Sequence, residues 1–442
     1  MSHTDAFPLL EDIDLDPDDQ PEVLVVGAGP VGLFAALRLA DRGIRVQILD
    51  EERRPAARSY ALALHPASLG LLEEAELASA VLDQGHRLGS LGFYEGGERR
   101  AGLDFGALPC RFPFVTVLPQ QSLEGILESR LEELGVRVLW NHRVTGLKLR
   151  IDGGAVAQVE RLARESGAGA RIVEETFTLR PGFVIGADGH RSAVRRALAL
   201  EFPEVGPAEL YAVFEISLAE DPDEEVRVVL DGGSSVLWPI GRGRFRWSFQ
   251  IADWEGFVEP RFKSRRFAEV GEEPFPYLVR ERLTELIVDR APWFTGAAGE
   301  VIWSTAVRFE RRLAGRFGRE SVWLAGDSAH LAGPLGNHSL NVGLSEANDL
   351  ALRLHRILRE GAPAGLLEEY GHEAHGEWRR LLGLRGAPAP GAETSPWVHR
   401  NAGRIVSVVP ASGEDLELLL AQLGLALPGR TTASHHASRA GS

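Results

Sequence analysis

Residues 22–33 read Glu22-Val23-Leu24-Val25-Val26-Gly27-Ala28-Gly29-Pro30-Val31-Gly32-Leu33. The apolar run Val23–Val26 ends in Gly27-x-Gly29-x-x-Gly32, and a helical pattern follows through Arg42. A second apolar run, Val46–Leu49, closes on Asp50. Strand, glycine turn, helix and strand in this order form the opening unit of a dinucleotide fold. Gly27 permits the tight turn, Gly29 leaves the backbone bare for a pyrophosphate, and Gly32 lets the helix lie against the strand. The amides that open the helix favour an anion. Asp50, 23 positions after Gly27, offers a carboxylate to a ribose hydroxyl and would repel a 2′-phosphate. The nucleotide expected is therefore FAD or NAD rather than NADP.

Around this unit the chain is 442 residues long, which favours two lobes. Its net charge of −15 argues against nucleic acid and anionic membranes as main partners. Cys110 is the single cysteine, so no internal disulfide, cysteine metal site or thiol pair can form. The histidines lack metal-ligand spacing, and no metal is expected. Residues 1–20 read as a disordered acidic leader without the basic start and apolar core of a secretory signal. No apolar run approaches the ~20 residues that span a bilayer. A soluble cytoplasmic protein is expected.

Helices are expected over Pro66–Leu77, Gln121–Leu134 and from about Asn341 to Arg359, with a strand meander over Val144–Phe183. Strand-like runs at Tyr211–Ile216, Val226–Leu230, Val236–Ile240 and Phe245–Ile251 suggest an antiparallel sheet, with Gly241-Arg242-Gly243 as a hairpin turn. Gly386–Ser395 reads as a linker, and Leu416–Leu423 as a short helix capped by Gly424. The last dozen residues read as disordered.

Two more motifs follow the first: Gly186-Ala187-Asp188-Gly189, leading to Arg195, and Gly326-Asp327-Ser328-Ala329-His330, continuing through Pro334 to Asn341-Val342-Gly343. In order and spacing, the three motifs resemble the class A flavoprotein monooxygenases, the para-hydroxybenzoate hydroxylase-like family, over roughly residues 21–370. The resemblance implies an α/β fold: a Rossmann-like FAD-binding domain (GR2-type) with an antiparallel β-sheet substrate domain. The domains expected are a discontinuous FAD-binding domain (21–90, 113–205 and 305–375) and a substrate sheet (91–112 and 206–304). Residues 376–442 are expected to form a C-terminal linker, short helix and tail.

It further implies non-covalent FAD, with NADH or NADPH as transient reductant bound on the FAD scaffold. An NAD(P)H-dependent flavoprotein monooxygenase would then pass one atom of O₂, by way of a flavin C4a-hydroperoxide, to an aromatic small molecule: a phenol, a quinolone or a polyketide-derived polycycle. The cofactor-binding candidates are Gly27, Gly29, Gly32, Asp50, Arg58, Gln120, Asp188, Asp327, Pro334, Gly336, Asn337 and Asn341. Asp327 would accept from the ribityl and pyrophosphate region, and Gln120 and Arg58 would contact FAD. Asp188 reads equally as a ligand or as the residue that holds its turn. His65 precedes a helix and would face the flavin, whereas His330 reads as a structural hydrogen-bonding group or a catalytic one. No catalytic residue is identified.

The chain departs from the family at Gly336-Asn337-His338-Ser339, where further glycines are usual, and at Ser345-Glu346-Ala347-Asn348-Asp349. Asn337 tolerates positive φ, so the turn is expected to survive. Olefin epoxidation stays open as an alternative. Halogenation fits less well, because Leu237-Trp238-Pro239-Ile240 is not the tryptophan motif of flavin halogenases and no lysine precedes Lys148. A flavin-binding protein without turnover is the non-enzymatic alternative.

Overall fold

The structure, a computed structural model, describes residues 20–52, 63–163, 172–218, 224–251, 278–294 and 299–428. Arg58, residues 1–19 of the leader and residues 429–442 of the tail lie outside the described residues. Strands β1 (Val23–Val26) and β2 (Val46–Asp50) pair in parallel across α1 (Pro30–Ala40). They sit inside a six-stranded sheet in the order 318–319, 322–324, 183–186, β1, β2, 138–140. All its pairings are parallel except the outermost, Gly318–Arg319 with Val322–Leu324. β1 is buried on both faces, as its unbroken apolar sequence requires.

The segment expected as one helix over Pro66–Leu77 is instead two, α2 (Pro66–Glu74) and α3 (Ala78–Gln84). Glu76 at φ 60° turns the chain between them. Helix α4 (Gln120–Glu133) packs on α1, and α5 (Ala193–Ala197) follows the second glycine motif. The meander is present as three antiparallel strands, His142–Leu149, Ala155–Leu162 and Val173–Leu179.

The second sheet has eight strands, ordered 330–331, 300–313, 204–217, 244–251, 234–241, 225–230, 90–95, 98–104. It is antiparallel except where Glu225–Leu230 runs parallel to Ser90–Glu95. Gly241, Arg242 and Gly243 all take positive φ in the hairpin between its strands 234–241 and 244–251. The strand Glu300–Leu313 carries residues 305–313 into this sheet, past the boundary expected at 305. Along Glu204–Ser217 the side chains alternate between two cores. Tyr211 and Val213 join the main core, while Ala212, Phe214 and Ile216 pack beneath α6 (Arg280–Arg290).

Helices α7 (His338–Glu360) and α8 (Gly365–Leu381) complete the nucleotide side. The C-terminal expectation needs correction, because residues 376–428 are not mainly linker. α8 runs to Leu381, and α9 (Pro396–Val408) and α10 (Gly413–Gln422) pack into the main core through Trp397, Val398, Ile405, Leu416 and Leu419. Ser395 caps α9 by accepting from the Val398 amide, with Pro396 at the first helical position. Gly424, at φ 72°, follows α10. No helix among the described residues is long and apolar enough to cross a membrane.

Candidate functional site

The three glycines of the first motif perform three different tasks. Gly27 sits at φ 104°, a conformation that L side chains rarely adopt. A Cβ on Gly32 would lie 1.9 Å from the Gly27 carbonyl oxygen, so the helix can reach the strand only without one. A Cβ on Gly29 would meet nothing within 4 Å. That open space belongs to a cavity of about 350 Å³.

The cavity gathers residues far apart in sequence. Gly29, Pro30 and Val31 come from the first turn and the start of α1, and Gln120 opens α4. Ala187, Gly189 and His190 come from the second motif, and Phe309 and Glu310 from the large sheet. Ala325, Asp327, Leu331–Pro334, Asn337, Ser339 and Leu340 come from the third motif and the start of α7. The α1 and α7 N-termini, at Gly29 and Asn337, therefore both border this space. Asn337 holds φ 52°, so the turn survives without the usual glycine.

Asp327 is exposed at the cavity wall, with protein packed densely around the cavity. Burial raises its carboxyl above the usual Asp range, with His330 opposing and Glu346 adding to the shift. The N-cap of its short helical turn is Ala325, and Ser339 hydrogen-bonds the Asp327 carboxyl, which opposes the shift. The turn is held from behind by Glu346. One oxygen of Glu346 accepts from the Gly326 amide (2.8 Å) and pairs with His330 Nε2 (2.9 Å), and the other accepts from Trp378 Nε1 (2.7 Å). His330 also stacks on Trp378, with centroids 3.7 Å apart, so its ring is engaged in packing. The departure at Glu346 is thus a buried hub beneath the third motif.

Other candidates face away from this space. Asp188 Oδ2 accepts from the Ala193 and Val194 amides (2.6 and 3.1 Å), which engages it in holding α5. Asn341 uses its whole side chain on the protein. It accepts from the His65 amide (2.7 Å) and donates to the Ala63 and Asn337 carbonyls (2.9 and 2.8 Å). Gly336 is a packing glycine, since a Cβ there would press on the His338 ring and the Ser407 carbonyl. His65 does not reach the cavity lining. Its Nε2 pairs with the Gly336 carbonyl (2.8 Å), and its ring meets His338 edge-on at 5.8 Å. His338 in turn reaches the Val409 carbonyl (3.0 Å). Burial lowers His65 to about 3, with His338 adding to the shift and the Gly336 carbonyl opposing it, and lowers His338 to about 4 against the Val409 and Ala411 carbonyls.

Asp50 ends β2 beside the glycine turn, where Oδ2 accepts from the Ala28 amide (2.7 Å) and Oδ1 from the Glu52 amide (2.8 Å). A carboxylate has about four acceptor sites, so a ribose hydroxyl can still be accommodated. Glu124 stands nearby, with Gln120 donating to it (2.7 Å). Burial, offset by that bond and reinforced by Asp50, raises Glu124 to about 7.

A second cavity, of about 460 Å³, lies between the large sheet and the C-terminal segment. Gly333 lines both cavities. Glu209, Gln250 and Arg311 line it from the sheet, and Gly403, Arg404 and Ser407 from α9. Sequence reasoning gives no signal for these residues. Only the strand register, which sets Glu209 opposite Phe309, brings them to one face.

A family model described as "FAD binding domain" matches residues 20–382. The chain is 29% identical over 368 residues to the 6-methylpretetramide 4-monooxygenase of Streptomyces rimosus, covering 82% of this chain and 61% of that protein. It is 29% identical over 382 residues to the pentachlorophenol 4-monooxygenase of Sphingobium chlorophenolicum, covering 81% and 63%. The match thus spans about three-fifths of these relatives' lengths. Among solved structures, the p-nitrophenol 4-monooxygenase PnpA of Pseudomonas putida DLL-E4 superposes with a TM-score of 0.66 at 22% identity, covering 92% of this chain and 98% of that one. The aklavinone-11 hydroxylase, in a ternary complex with FAD and aklavinone, superposes at 0.63 with 24% identity, covering 90% and 72%. These likenesses establish the shared fold.

Proposed function

Because this chain belongs to the FAD binding domain family, with FAD as its cofactor, we propose that it is an NAD(P)H-dependent monooxygenase that hydroxylates an aromatic small molecule. The observation that carries the reading is the sharing of Gly333 between the two cavities. One cavity collects the glycine motifs, and the other is walled by the large sheet. A cofactor in the first would meet a substrate in the second at that glycine.

The residues present fit the cofactor. The open space over Gly29 admits a pyrophosphate, and the α1 amides face it. Asp50, beside the glycine turn, would accept from a ribose hydroxyl, and Asp327, on the cavity wall, would accept from the ribityl hydroxyls. Gln120, Pro334 and Asn337 line the same space. Gly336, Asn341 and Asp188 act one layer behind, by fixing the loops. When bound, the flavin supplies the reduction by NAD(P)H and the activation of O₂. The chain's part is to orient the ring of the substrate and to exclude water around it.

The test is turnover by purified protein that carries flavin. NAD(P)H oxidation should rise with an aromatic substrate, and one atom of labelled O₂ should appear in the product. Hydrogen peroxide as the sole oxygen product with every aromatic tried would defeat the proposal. Flavin should be released on acid denaturation, as expected for non-covalent binding.

A further inference from the structure

Helix α4 reaches the cofactor cavity with Gln120, its first residue, and one turn later carries Glu124 on the same face. Gln120 Nε2 donates to Glu124 Oε1 at 2.7 Å. Glu124 is only 3% exposed and does not line the cavity, so it meets a ligand there through Gln120 and through its charge. A buried carboxylate is ordinarily matched by a cation or by several donors. Glu124 has neither: among the described residues, the neutral Gln120 amide is the donor it accepts from.

The charges that act on Glu124 among the described residues are of its own sign. Asp50 stands at the end of β2, and Glu128 follows one turn on along α4, where its Oε1 accepts from Trp140 Nε1 (3.0 Å). Helix α1 packs on α4, and its stretch Pro30–Leu37 is uncharged. The charges that follow, Arg38, Asp41 and Arg42, meet one another, Glu74 and Arg130. Helix α3, which also touches α4, brings only the exposed Asp83. Burial therefore raises Glu124 to about 7, with the bond from Gln120 opposing and Asp50 and Glu128 adding to the shift.

FAD brings an anionic pyrophosphate into the space that Gln120 lines. An ionised Glu124 only accepts, so it ties the Gln120 nitrogen to itself and adds a charge of the cofactor's own sign. A protonated Glu124 lacks that charge. Its hydroxyl can donate to the Gln120 oxygen, and with the amide turned over both N–H groups are available to the anion. Resting on FAD in the first cavity and not on the aromatic substrate, we infer that Glu124 is a positioning residue for the cofactor: FAD is held with a proton on Glu124, and Gln120 carries the effect to the cavity. Where the free protein has lost that proton, binding takes it back from solvent.

The test is release of flavin from the FAD-loaded protein on dilution, read by flavin fluorescence at pH 6 and pH 8. The wild-type dissociation constant should rise by about tenfold between the two, as one linked proton requires. Calorimetry at pH 8, in buffers of different ionisation enthalpy, should report uptake of a proton on binding. Glu124→Gln cannot ionise and should bind FAD at both pH values about as tightly as the wild type does at pH 6. Gln120→Leu should weaken binding at pH 6 and flatten the slope. His190, on the same cavity, is lowered by burial to about 4 and stays neutral throughout. A level wild-type constant or the absence of proton uptake would overturn the inference. A slope that survives Glu124→Gln would do the same and pass the proton to Asp327, whose carboxyl burial also raises. Weaker binding than wild type by Glu124→Gln at pH 8 would show the ionised carboxylate to be part of the site, and a full slope in Gln120→Leu would remove Gln120 as the link; either overturns it. All of these are read on FAD binding alone. Hydroxylation is judged by oxygen incorporation, so each proposal can fail without the other.

Discussion

The cofactor cavity and the sheet-side cavity share Gly333 but are built from opposite materials. The first is shaped largely by backbone: Gly29, Ala187, Gly189, Gly333 and Pro334 leave turns bare. The second is furnished with long side chains, among them Glu209, Gln250, Arg311 and Arg404. A backbone-shaped site admits few residue types, because each glycine answers a steric demand. A side-chain site admits many, because any residue at the right register can reach in. On the function proposed here, binding of a constant cofactor and of a particular substrate would thus be separated physically as well as functionally.

The steric side of this contrast predicts the largest difference between two neighbouring substitutions. Gly32→Val puts a side chain into the Gly27 carbonyl and should destabilise the fold by more than about 3 kcal/mol. Gly29→Val enters open space, so the fold should stand, while flavin affinity falls by about 100-fold or more as the pyrophosphate is displaced. Circular dichroism and flavin absorbance per chain measure the two effects. A soluble Gly32→Val protein, or a Gly29→Val protein with full flavin, would dissolve the distinction.

That same demand explains what the sequence reveals. Gly27, Gly29 and Gly32 are readable because spacing and residue type encode a backbone path. Glu209 and Arg311 are not, since they meet only through a strand pairing about 100 residues apart in sequence that contains register shifts. Asn341 and Gly336 carry the right identities in the right loop, yet they serve the protein rather than the cavity. Helix α9 does carry a local signal. Ser395-Pro396 is a helix start, and Trp397, Val398, Ala402, Ile405 and Val406 follow at helical spacing, but the preceding Pro/Ala/Gly run masks it.

Acid should uncouple the two cavities where His65 and His338 join the cofactor loop to the end of α9. Both rings have folded pKa values well below the unfolded 6.5, at about 3 and about 4. The unfolded chain therefore takes up protons first as pH falls below 6.5. Stability is full above that pH and declines through the window down to the folded values, by roughly 2–3 kcal/mol per ring near pH 4.5. Denaturation midpoints of His65→Gln and His338→Gln should be flatter than wild type between pH 7 and 4.5. An unchanged slope in both would remove the rings as the cause.

Glu346→Gln probes the hub behind Asp327 at a smaller magnitude. An amide nitrogen in place of the shared oxygen would leave the Gly326 amide facing a donor, at about 1–3 kcal/mol. Flavin affinity should fall by about tenfold as the Asp327 turn loosens, whereas Glu346→Asp should weaken it less. Flavin dissociation constants decide the matter, and values equal to wild type for Glu346→Gln would show that the hub does not position the turn.

An effect of the opposite sign lies at the Asp50 end of the site. Burial, with Asp50 adding to it and the bond from Gln120 opposing it, raises Glu124 to about 7 from an ordinary 4.5. Its folded form holds the proton more tightly than its unfolded form. No penalty exists below pH 4.5, where both are protonated; it grows as pH rises and is complete above 7. Glu124→Gln keeps an acceptor for Gln120 but cannot ionise. The substitution should therefore raise the melting temperature of the flavin-loaded protein at pH 8, by roughly 3 kcal/mol of stability, and leave it unchanged at pH 4.5. A gain of the same size at both values would point to packing rather than charge. A loss at pH 8 would mean that the ionised Glu124 carboxylate accepts from donors on the bound nucleotide, and that the ribose end is organised by Glu124 as much as by Asp50.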